Sequence, residues 1–292
     1  MLPLEKTNWR LLLSTILIFG LPTIWLLLLT LNVNTNFNFE EAKQVDKFLI
    51  LGIGENQWWY VTLNIASVIF PFLLSFDKKV HFYKKWKYMF PGMLLVAIFF
   101  LAWDIWFTKI GIWGFNDRYT NFMIMELPLG EWLFFFTVPY CCIFVYECLI
   151  SYYKGDPLKK FDNIISGLLI GTFLAVAFSN ITKAYTSWAF LFAAAIVIFH
   201  HLFVPNTYRT KFYIAYIICL IPFTLINGAL TGGFNLEPVV VYNDAHNLTS
   251  TLGFRFVSIP LDDFVYGFFM IFANVTLFEF FRSKSQDLPL RP

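Results

Sequence analysis

The sequence predicts an all-α, polytopic membrane protein. Seven core transmembrane helices form two three-helix repeats and a connector, with an extra N-terminal transmembrane helix ahead of them. Three observations predict it. First, the 292 residues are 58% hydrophobic and only 14% charged, against about 25% charge in soluble domains. Second, apolar runs near the length of about 20 residues needed to cross a bilayer recur eight times. Third, the shift that carries Pro128 onto Pro260 (260 − 128 = 132) superposes two stretches of chain without a gap.

Taken in order, the first run is 11–31, behind Lys6 and Arg10. It exceeds the apolar region of about 7–15 residues in a secretory signal, and no small-residue cleavage pattern follows. It reads as a retained span. Runs at 58–76 and 88–108 come next, the first opening on Trp58, Trp59 and Tyr60 and the second flanked by Trp86 and Tyr88. Such residues anchor helix ends at the membrane–water boundary. Runs at 129–150, 161–180, 185–204, 212–231 and 257–281 follow, with breakers such as Gly155-Asp156-Pro157 and Pro205-Asn206 between them. The expected segments are 1–57 (extra helix and loop), 58–152 (first repeat), 153–184 (connector helix), 185–282 (second repeat) and 283–292 (tail).

Basic residues orient the chain, because cytoplasmic loops carry the excess of Lys and Arg. With the N-terminus inside, fifteen fall on the inner side, among them Lys78, Lys79, Lys84, Lys85, Lys87, Arg209 and Arg282. Six fall outside: Lys43, Lys47, Lys109, Arg118, Lys183 and Arg255. Both termini are therefore expected in the cytoplasm, in the cell's inner membrane.

Several functions are disfavoured. A net charge of +2 argues against a nucleic-acid surface. Cys141, Cys142, Cys148 and Cys219 lie in apolar runs without CxxC spacing, so neither a disulfide framework nor a zinc site is indicated. His200-His201 lacks metal-ligand spacing. Gly52-Ile53-Gly54 lacks the third glycine and the strand–helix setting of a dinucleotide site. No metal and no cofactor are expected.

Under the 132-residue shift, Pro128-Leu129-Gly130-Glu131-Trp132-Leu133-Phe134 lies over Pro260-Leu261-Asp262-Asp263-Phe264-Val265-Tyr266, and Glu147 over Glu279. Upstream, Trp113-Gly114-Phe115-Asn116 is echoed by Gly232-Gly233-Phe234-Asn235, with a longer gap to the proline that implies an insertion near 236–256. Three helices plus one connector bring both copies into the membrane in the same orientation.

Proline is tolerated in a first helical turn, so Pro128 and Pro260 mark helix starts at one membrane level. Glu131, Asp262 and Asp263 follow within three residues. Asp104 reaches that level from the end of its own helix, and Glu126 lies just above it. Acids at helix N-termini complement the helix dipole. Here several converge, each followed by aromatics: Trp132, Phe134, Phe135 and Phe136 after Glu131, and Phe264, Tyr266, Phe268 and Phe269 after Asp263. An ionisable group in a span is by default a functional candidate, and nearby carboxyls that share a proton offer an acid and a base together. Aromatic faces attract cations without trapping them. That combination suits protonation of an alkene and passage of a carbocation. Glu147 and Glu279 lie about 24 Å away along their helices and read as structural.

The Pro-Leu-Gly-Glu-Trp-Leu-Phe-Phe-Phe and Ile-Pro-Leu-Asp-Asp-Phe blocks resemble the paired motifs of the heterodimer-type and fused lycopene cyclase domain family. The resemblance extends to Phe76-Asp77-Lys78-Lys79-Val80-His81-Phe82-Tyr83, Trp103-Asp104 and Trp113-Gly114-Phe115, and covers about residues 58–282. It implies a membrane-embedded enzyme of two related halves that turns a linear ψ end of lycopene into a β-ionone ring without net redox change. Proton donor and acceptor are then Glu131, Asp262 and Asp263, with Asp104 and Glu126 as further acids. Trp103, Trp132, Phe134, Phe135, Phe264 and Tyr266 become the substrate-binding set. Gly130 departs from the pattern, which carries another acid there, so the first site is expected to be weakened or rescued by Glu126. Expected partners are lycopene and membrane lipids, with self-association or contact with other enzymes of carotenoid synthesis left open.

Two other readings stand beside this one. A carotenoid hydratase would use the same cation with a different fate. A non-enzymatic transporter or retinal-binding receptor fits less well, because 257–281 holds no lysine for a Schiff base and the matched prolines mark helix starts rather than mid-span breaks.

Overall fold

The computed structural model describes residues 13–31, 37, 39–52, 56–244 and 250–285. Eight apolar helices dominate it: α1 (Leu13–Thr30), α2 (Trp59–Leu74), α3 (Trp86–Lys109), α4 (Leu129–Tyr152), α5 (Asp162–Ser179), α6 (Ala184–Phe203), α7 (Arg209–Leu230) and α8 (Leu261–Lys284). Seven are long and apolar enough to cross a membrane. The chain is a multi-pass membrane protein.

The expected span at 58–76 is the exception. Its helix, α2, has 16 residues, about 24 Å at 1.5 Å per residue, short of a hydrocarbon core of about 30 Å. Within α1, a π-helical stretch over Ile16–Gly20 precedes Pro22, whose missing N–H loosens the helical ladder.

Burial follows composition. α6 is the most enclosed helix, and the small residues Ala193, Ala194 and Ala195 on it are all buried. Small side chains let neighbouring helices approach closely in a membrane bundle. α1 lies at the periphery against α6, with Phe19 meeting Phe199 at 6.0 Å, while Trp25 meets Phe178 of α5 at 6.3 Å.

Two groups of three helices, α2–α4 in one half of the chain and α6–α8 in the other, interlock. α2 packs on α4 and α6 on α8, whereas α3 packs more closely on α8 than on α4, and α7 more closely on α4 than on α8. The helix carrying each proline motif is therefore flanked by a helix from the other half. A short antiparallel pairing of β1 (Trp113–Phe115) with β4 (Val240–Tyr242) also joins the halves.

Two hairpins precede the motif helices. β2 (Met123–Ile124) pairs with β3 (Leu127–Pro128), and β5 (Arg255–Phe256) with β6 (Ile259–Pro260). The registers are Met123 opposite Pro128 and Arg255 opposite Pro260, again 132 residues apart (255 − 123 = 132). In each copy the helix's first amide is satisfied by the hairpin: Leu129 N donates to Phe122 O at 2.8 Å and Leu261 N to Phe254 O at 2.9 Å. Pro128 and Pro260 thus stand one position before the helix, as its N-cap, rather than inside its first turn. The last span correspondingly begins at Leu261, later than the expected 257, because 255–260 is hairpin.

At the opposite end the long acids are paired. Glu147 is fully buried and meets both Lys85 and, at 2.5 Å, Arg282; Arg282 also lies 3.4 Å from Glu279, which accepts from Tyr146 at 2.8 Å. Arg209 and Asp162 form a second buried pair that ties α7 to α5. These contacts bind helix ends together and stand far from the motif acids.

Candidate active site

α2, α4, α6 and α8 begin at the same end of the bundle, where α3 and α7 finish. One small cavity lies there, lined by Asp104, Glu131 and Asp263 together with Tyr60, Tyr185, Tyr242, Tyr266 and Asn227. Trp113, Phe115, Phe134 and Phe223 complete much of its wall. The three acids are 3%, 7% and 5% exposed, so the protein rather than solvent must satisfy them.

Asp263 accepts three hydrogen bonds from uncharged donors: Tyr185 Oη at 2.8 Å, Tyr242 Oη at 2.8 Å and Asn227 Nδ2 at 2.7 Å. Its carboxyl is arranged as an acceptor. Tyr242 lies on a strand outside the helices, and burial, with the Asp263 carboxylate beside it, pushes its phenol above the ordinary range. It stays a donor.

The other two acids face each other. Glu131 and Asp104 share the cavity wall, close enough for their carboxyls to interact. Glu131 also accepts from Tyr60 Oη at 2.5 Å and Asp104 from Tyr266 Oη at 3.0 Å. An ionised carboxylate can only accept. Two neighbouring carboxyls favour sharing one proton, whereas the three donors around Asp263 leave it an acceptor.

The remaining sequence candidates fall elsewhere. Asp262 is one residue from Asp263, about 100° around the helix, and points away from the cavity. It accepts from Thr186 Oγ1 at 2.5 Å and Leu252 N at 3.0 Å, tying the preceding loop to α8. Glu126 is exposed, in the turn of the β2–β3 hairpin with φ of 71°, and does not line the cavity. Trp132 Nε1 donates to Ile124 O at 3.1 Å, holding the hairpin to α4. Phe135 and Trp103 are packed into the aromatic core beneath the cavity, with Trp103 5.1 Å from the ring of Tyr266. Phe264 packs on Phe223. Of the substrate-binding expectations, Phe134 and Tyr266 line the cavity.

Tyr60, Tyr185, Tyr242 and Asn227 also line the cavity, and the sequence reading does not single them out as site residues. Tyr60 stood in an aromatic cluster read as an interfacial anchor. A usable signal existed, since Tyr60 and Tyr185 each sit in the first turn of a helix that starts at the acid-bearing end.

The lycopene cyclase family model matches residues 57–149 and 182–281, about two thirds of the chain. The chain belongs to the lycopene cyclase family. No curated protein and no solved structure matches it. The cyclase is thus, at the level of its family, a carotenoid cyclase embedded in a membrane, and its substrate class is a lipophilic carotenoid. Each matched segment contributes to the cavity: Asp104 and Glu131 come from the first, Asp263 and Asn227 from the second.

Proposed function

We propose that this protein is a lycopene β-cyclase that converts the linear ψ ends of lycopene to β-ionone rings by acid–base chemistry. The observation that carries the reading is the meeting of Asp104, Glu131 and Asp263 in one aromatic-walled cavity. The Asp104–Glu131 pair gives its proton to the terminal alkene, leaving a tertiary cation. The double bond at the start of the polyene attacks that cation, closing the ring and moving the charge onto a ring carbon. Asp263 removes a ring proton, and the electrons of that C–H bond form the new double bond. One proton enters and one leaves, so the step is an isomerisation with no change of redox state.

The surroundings support that sequence. The rings of Tyr266, Trp113, Phe134 and Phe223 line the cavity, and an aromatic face turned to a desolvated cation stabilises it by roughly 0.5–2 kcal/mol. Exclusion of water suppresses capture of the cation as an alcohol. On this reading the first copy, 58–152, supplies the donor and the second, 185–282, the acceptor, with 153–184 as connector. The basic-residue bias places both termini in the cytoplasm and the acids toward the outer side of the cell membrane.

The test is expression in a host that accumulates lycopene, followed by separation of the carotenoids. Monocyclic γ-carotene and bicyclic β-carotene are expected. Unchanged lycopene beside well-expressed protein overturns the reading, and hydrated acyclic products transfer it to a hydratase.

A further inference from the structure

Beside the acid cavity lies a larger one of about 350 Å³. The two share Phe134, Phe223, Asn227 and Gly267. The larger one is walled by α2, α4, α7 and α8, and its lining is apolar. Its few polar groups are turned into the protein: Ser67 Oγ donates to Asn64 O at 2.7 Å, Cys141 Sγ donates to Ser67 O at 3.3 Å, and Asn227 is engaged with Asp263. Tyr216 Oη donates to Phe264 O, and the other polar atoms of the lining are the weakly polar thiols of Cys142 and Cys219.

The cavity also reaches the bundle surface. Ala66 and Phe70 on α2 and Pro222 and Leu225 on α7 line it and are exposed on the helix exterior. α2 and α7 touch only lightly, and both carry a proline at this depth, Pro71 and Pro222, each of which removes an amide hydrogen from its helix. Phe70 lies ten residues along α2 from Tyr60, about 15 Å below the acid end. The opening therefore faces the hydrocarbon interior, where a dissolved polyene resides.

Size decides how the substrate must lie. The acid cavity alone is about 50 Å³, room for little more than a water or two, and too small for a ring-forming end. The larger cavity corresponds to about a dozen water-sized groups, far short of a whole tetraterpene.

We propose that this second cavity is a berth for one terminal isoprenoid segment, entered sideways from lipid between α2 and α7. The chain end crosses the Phe134–Phe223 boundary to reach the acids, and the rest of the polyene stays in the membrane. The berth rests on the cyclase reading for the identity of its occupant, an acyclic terpenoid hydrocarbon, and it admits one end at a time.

Two measurements test it together. Ala66→Trp puts bulk at the opening from an exposed position, where folding tolerates it, and Ile164→Trp is the matched control on the exposed face of α5. The first is expected to lower ring formation at least tenfold, and the second to leave it unchanged. In parallel, folded protein in lipid is treated with an apolar maleimide and labelling is followed at each cysteine. Cys141, Cys142 and Cys219 line the cavity and Cys148 does not. Lycopene, and the Ala66→Trp change, are each expected to slow labelling of the three lining thiols at least fivefold and leave Cys148 unaffected. Lining thiols that do not label, or that label equally with and without lycopene, overturn the berth whatever the variant's activity. So does full ring formation by Ala66→Trp. A wild-type chain that forms no rings while lycopene still protects the thiols defeats the cyclase reading alone.

Discussion

Tyr60 lies so close to Gly130 that a Cβ at the glycine would stand 2.3 Å from the Tyr60 Cγ. That contact explains the departure from the family's paired acids. Tyr60 occupies the space a side chain would need, and from there donates to Glu131, while Asn64 Nδ2 donates to Gly130 O at 2.9 Å. Glu126 lies outside the cavity, so it is not placed to substitute for an acid at position 130. Gly130→Asp, which restores the family pattern, is expected to displace Tyr60 and lower ring formation at least tenfold. Carotenoid analysis beside a folding control checks this, and Gly130→Asp activity at or above wild type would refute it.

The acids should separate sharply from their neighbours in mutation. General acid–base groups contribute typically 10²–10⁴-fold in rate, so Glu131→Gln, Asp104→Asn and Asp263→Asn are each expected to cut ring formation by about a hundredfold or more. Glu126→Gln should be close to neutral, because that side chain is exposed in a hairpin turn. Asp262→Asn is expected to act on stability instead, through its bonds to Thr186 and Leu252. Product yield set against expressed protein distinguishes the three groups.

Much of this arrangement was legible before any coordinates. Apolar runs gave the helices, and prolines with acids gave the motif level. Asp104, Glu131 and Asp263 were all named from their positions along predicted helices. The choice between Asp262 and Asp263 was not legible, because adjacent residues point about 100° apart and only packing says which faces inward. The phenols were hidden for another reason. Among 14 tyrosines, first-turn placement at the acid-bearing end is the one local hint for Tyr60 and Tyr185, Tyr242 has none, and their convergence on the acids appears only once helices from both halves are brought together. The length of α2 was misjudged because hydropathy continues past Leu74 into Phe76, while the helix ends where Ser75 bonds back to Pro71 O.

The ion cluster at the far end is a stability element. Arg282 joins Glu147 to Glu279 and so links α4 to α8. Removing one partner of a buried pair leaves charge uncompensated, and Lys85 only partly offsets the loss, which places Arg282→Met near the low end of the usual range, about 3 kcal/mol. Lower thermal stability in detergent is expected, with the ring-forming activity of the surviving folded fraction unchanged. A variant as stable as wild type would show the cluster to be dispensable.

Asp77 provides a pH-dependent element outside the helices. Its carboxyl accepts from the backbone amides of Lys79 at 2.8 Å and Val80 at 3.1 Å, and those bonds hold it below the usual carboxylate range. A depressed folded value means that the stabilisation is present above the unfolded value, about 3.9, and is lost as pH falls through the folded one. Amide exchange at Lys79 and Val80 is expected to quicken below about pH 4. In Asp77→Asn that acid-induced quickening should vanish, and its persistence would assign it to another group.

The division of labour proposed for the two halves rests on one difference in partner. From α3 a carboxyl, Asp104, faces the cavity beside Glu131; from α7 an amide, Asn227, donates to Asp263. The amide donates to the carboxyl and leaves it an acceptor, whereas the acid must share a proton with its neighbour. Asn227→Asp would therefore turn the acceptor into a second proton-holding pair while adding a carboxyl to the cavity. If ring formation depended only on the number of acids, the change would be harmless or favourable. On the proposed mechanism the cation loses a proton to Asp263, so Asn227→Asp is expected to lower ring formation at least tenfold, and Asn227→Gln, which keeps a donor, to lose less. Rates measured across rising pH sharpen the test, since deprotonating the new pair restores an acceptor: activity of Asn227→Asp should recover toward alkaline pH relative to wild type. Equal activity of Asn227→Asp and wild type at every pH would remove the distinction between donor and acceptor halves.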